Sequence, residues 1–328
     1  MMRVKRSSFI FIGIFIASVL LIVAVTFSPL INPKNAIVNA ETISSCLNRI
    51  NIPDTEMHWI YVPESASELH SEENLFFLAG KLISNNIVDA STCPSGGITL
   101  NGYANACGMA VAKDSVIYLQ NILDESILSA WKNTGVPPVL LKQMIRFESQ
   151  FWPSIDQETH FGYGHITNIG MRNALEWNSR LSAEVCPPSL GTYCASNYSE
   201  ADKILDTLVI TCPDCKYGIA VDQIDRVVNI QSEVVLGYCY QTAQLIFNAT
   251  GWKSGNVVDY PTIWKLTLVN YNAGPTCVFN AMRDAFAATQ GPVKWSDISY
   301  VMSGDQCLRG LNYANRITHK YYDFPPAN

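Results

Sequence analysis

The sequence predicts an all-α domain that is exported and cross-linked by disulfides. Three observations carry this. From about Tyr103 onward apolar residues recur at helical spacing, with recognisable start and stop signals. All ten cysteines follow an uncharged N-terminal segment. Hydrophobic residues make up 48% of the 328 and charged residues 15%, enough for a substantial core with little disorder outside the ends.

The chain opens with MMRVKR, a basic run, and then has nineteen residues without a charge from Phe9 to Phe27. That length lies between a long signal-peptide core and a membrane-spanning helix. Basic residues before it direct the rest of the chain out of the cytoplasm. Small residues at Val38 and Ala40 suit cleavage after Ala40, so residues 1–40 are either a signal peptide or a membrane anchor. Both outcomes make the protein extracytoplasmic, either secreted or held to the membrane by residues 9–27. Ten cysteines permit five disulfides in an oxidising compartment. Cys186 and Cys194 are close enough for a local bridge, as are Cys212 and Cys215. Cys212-Pro213-Asp214-Cys215 also has the spacing of a redox or zinc pair. The redox alternative needs a strand-to-helix context, and the zinc alternative needs a second ligand pair. Formal net charge is −6, and setting aside Arg3, Lys5, Arg6 and Lys34 takes residues 41–328 to −10. An acidic body argues against nucleic acid as a partner and offers no long-range attraction to an acidic polymer.

Residues 41–102 form an N-terminal extension of unassigned role, ending in the turn-rich stretch ASTCPSGGITLNG (90–102). Asp114 is positioned to cap a helix running through Asp124. DESILSAWKNTG (124–135) has an acidic start and a glycine stop. Val136-Pro137-Pro138 then restarts the chain, with proline suited to a helix's first turn. In that next helix Leu141, Met144, Ile145 and Glu148 fall at i, i+3, i+4 and i+7, so the carboxylate shares a face with three apolar side chains. Phe151-Trp152-Pro153 closes it with aromatic bulk. Such surroundings disfavour the anion and raise a carboxyl pKa, as a general acid near neutral pH requires. NALEWNSRL (173–181) leads into a cysteine-bearing insertion, 182–217. A long helix is expected from about Val221 to Phe247, stopped by Gly251, then a shorter one from Trp264 to Val269 and a terminal helix over 314–324.

Three segments recur in a telling order: IRFESQFWP (145–153), FGYGHITNIG (161–170) and VNYNAGP (269–275). A glutamate-serine unit after an apolar helix, a glycine-punctuated turn, and tyrosine-asparagine-alanine-glycine together resemble the lytic transglycosylases of the lysozyme-like superfamily. The resemblance covers roughly Tyr103 to Tyr322. It implies a lysozyme-like helical domain over 103–328 with the disulfide-bearing insertion inside it, and cleavage of the bond between N-acetylmuramic acid and N-acetylglucosamine in peptidoglycan. It implies that Glu148 protonates the glycosidic oxygen and then, as a base, takes the proton of the muramyl 6-hydroxyl, closing a 1,6-anhydro ring. The substrate's acetamido group would stabilise the cationic centre, and neither metal nor cofactor is needed. Ser149 would support the local turn. Gly164, His165 and Ile166 would lie along the sugar. Tyr271 would hold and polarise Glu148, with Asn272 beside it. His165 stands where relatives carry glutamine, a departure that bears on substrate contact and pH dependence.

The residues themselves also favour this chemistry. Hydrolysis of a glycoside usually takes two carboxylates. The candidates for a second here are Asp156, Glu158 and Glu176, none in a segment built to hold one. Two alternatives remain open: a water-using muramidase with Asp156 or Glu158 positioning the water, and an inactive wall-binding scaffold, which His165 favours. Trp152, Trp177 and Trp264 are candidate sugar-stacking faces, although tryptophans at helical spacing usually serve the core. No His-Glu-x-x-His helix and no phosphate-binding loop is present.

Overall fold

A computed structural model of the chain describes residues 46, 47 and 58–319. The expected signal or anchor segment and the end of the expected terminal helix lie outside the described residues. The structure is 66% helical, and among the described residues strand is confined to Ile155–Asp156 (β1) and His160–Phe161 (β2), which pair antiparallel. The all-α class therefore holds, as does the cross-linking: all ten cysteines are paired.

Helix α1 spans Phe76–Ser84 and packs on α2, Ala106–Asn121. α2 starts well before Asp114, because Asn105 caps it by accepting the N–H of Gly108, and Asp114 is an exposed interior residue. Asparagine caps as well as aspartate does. α3 (Asp124–Thr134) stops at Gly135 in the left-handed conformation, and α4 (Pro138–Ser149) starts on its proline, both as expected. After the hairpin come α5 (Asn168–Trp177) and α6 (Ser179–Val185), then α7 (Tyr198–Asp206) within the insertion. The insertion is stapled by Cys186–Cys194 and Cys212–Cys215, so the latter pair is a disulfide closing a turn.

α8 (Ile224–Thr250) is the central element and ends at Gly251. It packs against α3, α5, α9 (Tyr260–Ala273) and α10 (Pro275–Thr289). Its 27 residues, about 40 Å of helix, bury side chains around most of the circumference, as a helix surrounded by others must. α9 starts before the expected Trp264 because Asp259 caps it through the N–H of Thr262. α11 (Trp295–Val301) and α12 (Asp305–Ile317) complete the chain. α12 also starts earlier than the expected residue 314, and it lies against α9.

Residues 58–102 belong to the same compact unit as the rest. They pack on the end of the molecule that carries α4. The Lys142 ammonium on α4, fully buried, donates to the Leu69 carbonyl (2.6 Å), Asp124 (2.5 Å) and Asn121 (3.0 Å). Arg146 pairs with Glu73, and the Phe77 N–H donates to Gln150 Oε1 at 3.1 Å. The extension thus braces the helix that carries Glu148.

Candidate active site

The last two turns of α4 set the site. Leu141, Met144 and Ile145 are fully buried, and Glu148 follows on their face with its side chain 16% exposed. Burial pushes the Glu148 carboxyl up to about 7, against an opposing hydrogen bond from Tyr313. The Tyr313 hydroxyl donates to Glu148 Oε1 at 2.5 Å, and His165 Nδ1 lies 3.9 Å from Oε2. α4 ends in two successive left-handed residues, Gln150 and Phe151, an uncommon conformation for side chains of that size. Phe151 and Trp152, at and after that reversal, are buried. Ser149 is buried, and its hydroxyl donates to the Ile145 carbonyl at 3.1 Å, tying down the last helical turn.

The glycine-punctuated segment forms a tight loop clamped by Phe161 and Ile166, each donating its N–H to the other's carbonyl at 3.0 Å. Ile166 is buried and anchors the loop. His165, in the left-handed region at φ 49°, turns toward Glu148, and the His160 ring lies edge-on to it at 6.1 Å. Gly164 has a steric reason to be glycine. A Cβ there would fall 2.0 Å from Oε1 of Gln231, a buried residue of α8. The loop backbone therefore rests directly on the Gln231 amide.

Tyr271, near the end of α9, donates its hydroxyl to the Gly164 carbonyl at 2.6 Å. Its ring stacks on Tyr313 at 6.5 Å and meets Tyr238 edge-on at 5.0 Å. Tyr271 thus fixes the glycine loop, while the hydrogen bond to Glu148 comes from Tyr313. Burial, and then the Glu148 charge, raise both hydroxyls well above the usual tyrosine range, so both are neutral donors near neutral pH. Asn272 is exposed. Its neighbour Asn270 is buried and donates to Gln241 and Thr242, joining α9 to α8.

Of the residues expected at the site, Glu148, Ser149, Gly164, His165, Ile166 and Tyr271 converge on one region, and Asn272, next to Tyr271, is exposed. Glu158, at the hairpin tip, and Glu176, on α5, are exposed, and Asp156 pairs in register with His160. Trp264 is wholly buried and serves the core. Sequence reasoning missed Tyr313 and Gln231. Tyr313 carried a usable signal, because Gly310, Tyr313, Ala314 and Ile317 fall at i, i+3, i+4 and i+7 and all are buried. Gln231 carried none, since a glutamine inside a long helix is ordinarily a surface residue. Among the described residues no three His, Cys, Asp or Glu side chains are grouped to hold a metal ion. Comparison with protein-family models, with curated proteins and with solved structures finds no match to this chain.

Proposed function

We propose that the chain is an exported peptidoglycan lytic transglycosylase with a lysozyme-like catalytic domain and Glu148 as its single acid/base. The observation that carries this is the state of Glu148: mostly buried, hydrogen-bonded by Tyr313, and with a pKa of about 7. A carboxyl poised there holds a proton for the leaving oxygen and is still basic enough afterwards to accept one.

In the proposed reaction the Glu148 carboxyl donates its proton to the glycosidic oxygen as the bond from the muramyl anomeric carbon to that oxygen breaks. The carboxylate then takes the proton of the muramyl 6-hydroxyl, and that oxygen bonds to the anomeric carbon. Glu148 ends protonated as it began, and no water is consumed. Tyr313 holds the carboxylate during the interval when it is charged. Tyr271 and Gln231 fix the Gly164 backbone, and His165 takes the place along the sugar that the resemblance assigns to glutamine. The exposure of Glu158 and Glu176 favours a one-carboxylate mechanism. The second reading is a water-using muramidase, and the products decide between the two. Five disulfides support an extracytoplasmic location, with residues 9–27 as signal or anchor.

Purified sacculi digested by the full chain should release muropeptides with 1,6-anhydromuramic ends, read by mass spectrometry. Reducing ends alone would assign the muramidase reading. Glu148→Gln should abolish release, and an undiminished rate in that variant would mean that Glu148 is not catalytic.

A further inference from the structure

A cavity of about 240 Å³ is lined by α1 and the residue after it, by the segment that follows Glu148, and by the Cys212–Cys215 turn. Lys81 and Asn85 line it from the α1 side, Trp152 and Ser154 from the segment after α4, and Thr211 from the turn. Trp152 is four residues from Glu148, which at about 3.3–3.6 Å per residue places their backbones within roughly 14 Å. The walls are built rather than incidental. The disulfide closes the turn, Cys212 N–H donates to the Gly218 carbonyl at 2.8 Å, and Ile210 N–H donates to the Pro153 carbonyl at 3.3 Å. Gly218, at φ +72°, lies so close to the Trp152 ring that a Cβ there would come 3.0 Å from its edge.

The lining has one charge. Among the described residues Lys81 is its only ionisable side chain and no acid lines it; Asp214, in the same turn, is exposed and does not line the cavity. The Lys81 ammonium lies 5.1 Å over the Phe77 ring, which steadies the stem without neutralising the charge. A partly buried lysine in a lining that also carries an indole and two hydroxyls suits a carboxylate attached to an amide or sugar. The volume falls below the roughly 300–1,000 Å³ of sites for larger ligands, so it fits a side arm and not a glycan strand. We propose that this cavity binds a carboxylate-bearing arm of the substrate, the lactyl or peptide-stem carboxylate on a muramyl residue, with Lys81 as its charge partner. The proposal rests on the peptidoglycan reading above for the identity of that arm. It would make the extension and the disulfide turn, both outside the three motifs, part of substrate recognition.

NMR titration of the full chain with muramyl dipeptide and with its neutral methyl ester tests this. With the stem carboxylate as ligand, the free acid should bind at least ten-fold more tightly than the ester. Lys81→Met should erase that preference, and Lys81→Arg should retain it. N-acetylmuramic acid as a third probe separates the sources: Lys81-dependent binding there assigns the lactyl carboxylate, and dependence with muramyl dipeptide alone assigns the stem. Equal binding of acid and ester together with Lys81-independent binding of N-acetylmuramic acid would overturn the proposal, as would a preference that survives Lys81→Met. The same titration in Glu148→Gln keeps the two ideas apart. If that variant still releases glycan while the Lys81-dependent preference persists, the catalytic assignment fails and the cavity assignment stands.

Discussion

An ionised Glu148 is unfavourable where it sits, and the consequence for stability has a definite sign. Its carboxyl titrates near 7 in the folded chain against an ordinary value of 4.5, so between those pH values the folded state holds the proton that the unfolded state has lost. Stability therefore falls as pH rises from about 4.5, and the loss is complete above 7. Glu148→Gln removes the titration. It should be more stable than the unmodified chain by on the order of 2–3 kcal/mol at pH 8, with no comparable gain at pH 4. Denaturant midpoints at the two pH values measure this, and parallel pH dependence in the two proteins would contradict it. Tyr313 supplies the opposing interaction, so Tyr313→Phe should raise the Glu148 pKa further and move the alkaline limb of the pH–rate profile upward. A hydrogen bond to a charged group contributes about 1.5–3 kcal/mol, so the rate should fall roughly 10- to 100-fold. A lower rate with an unmoved limb would make Tyr313 a packing residue only. Glu148 was legible in the sequence because a helix register alone gives it three apolar neighbours. Its donor was not, because which tyrosine reaches it depends on how α12 lies against α9.

At the scale of elements, the position of Glu148 is the position of α4. That helix is held by groups from outside the motifs, chiefly Lys142, whose ammonium is buried with Asp124, Asn121 and the Leu69 carbonyl around it. Burial pushes the Lys142 ammonium down to about 8 and the Asp124 carboxyl up to about 6, so the pair is held by geometry as much as by charge. Removing one member of a buried pair leaves the other uncompensated. Lys142→Met should destabilise the chain by about 3–5 kcal/mol. Lys142→Met combined with Asp124→Asn should recover a large part of that loss, because no lone charge remains. Thermal unfolding of the three proteins checks it, and a double variant as unstable as the sum of the singles would count against a coupled pair. The sequence located α3 and α4 well, since Gly135 and Pro138 punctuate them unambiguously. It placed the starts of α2, α9 and α12 too late. In α2 the interior Asp114 imitates the cap that Asn105 provides, and in α12 the buried face begins at Gly310, before the aromatic residues that follow.

For the molecule as a whole, helix content and cross-linking follow from composition and cysteine count, whereas the pairing of distant cysteines does not. Cys186–Cys194 and Cys212–Cys215 could be anticipated from spacing alone. Cys46–Cys239 spans 193 residues and depends on where α8 lies in the finished fold. This bridge ties the start of the described chain to the central helix, next to a hydrogen bond from the Ser254 hydroxyl to the Cys46 carbonyl. Loop length sets the expected ranking of the disulfides. On the chain-entropy account, closing a loop of that size restricts the unfolded chain by roughly 5 kcal/mol, against roughly 2 kcal/mol for the three-residue separation of Cys212–Cys215. Replacing both cysteines of a pair by alanine should therefore lower the denaturant midpoint most for Cys46 and Cys239. It should also steepen the dependence on denaturant in that variant, because the unfolded chain expands further once the long loop opens. The Cys212 and Cys215 variant should keep its slope and lose little stability. If the two losses proved equal, native-state packing around the cysteines, and not loop closure, would be what the disulfides contribute to this fold.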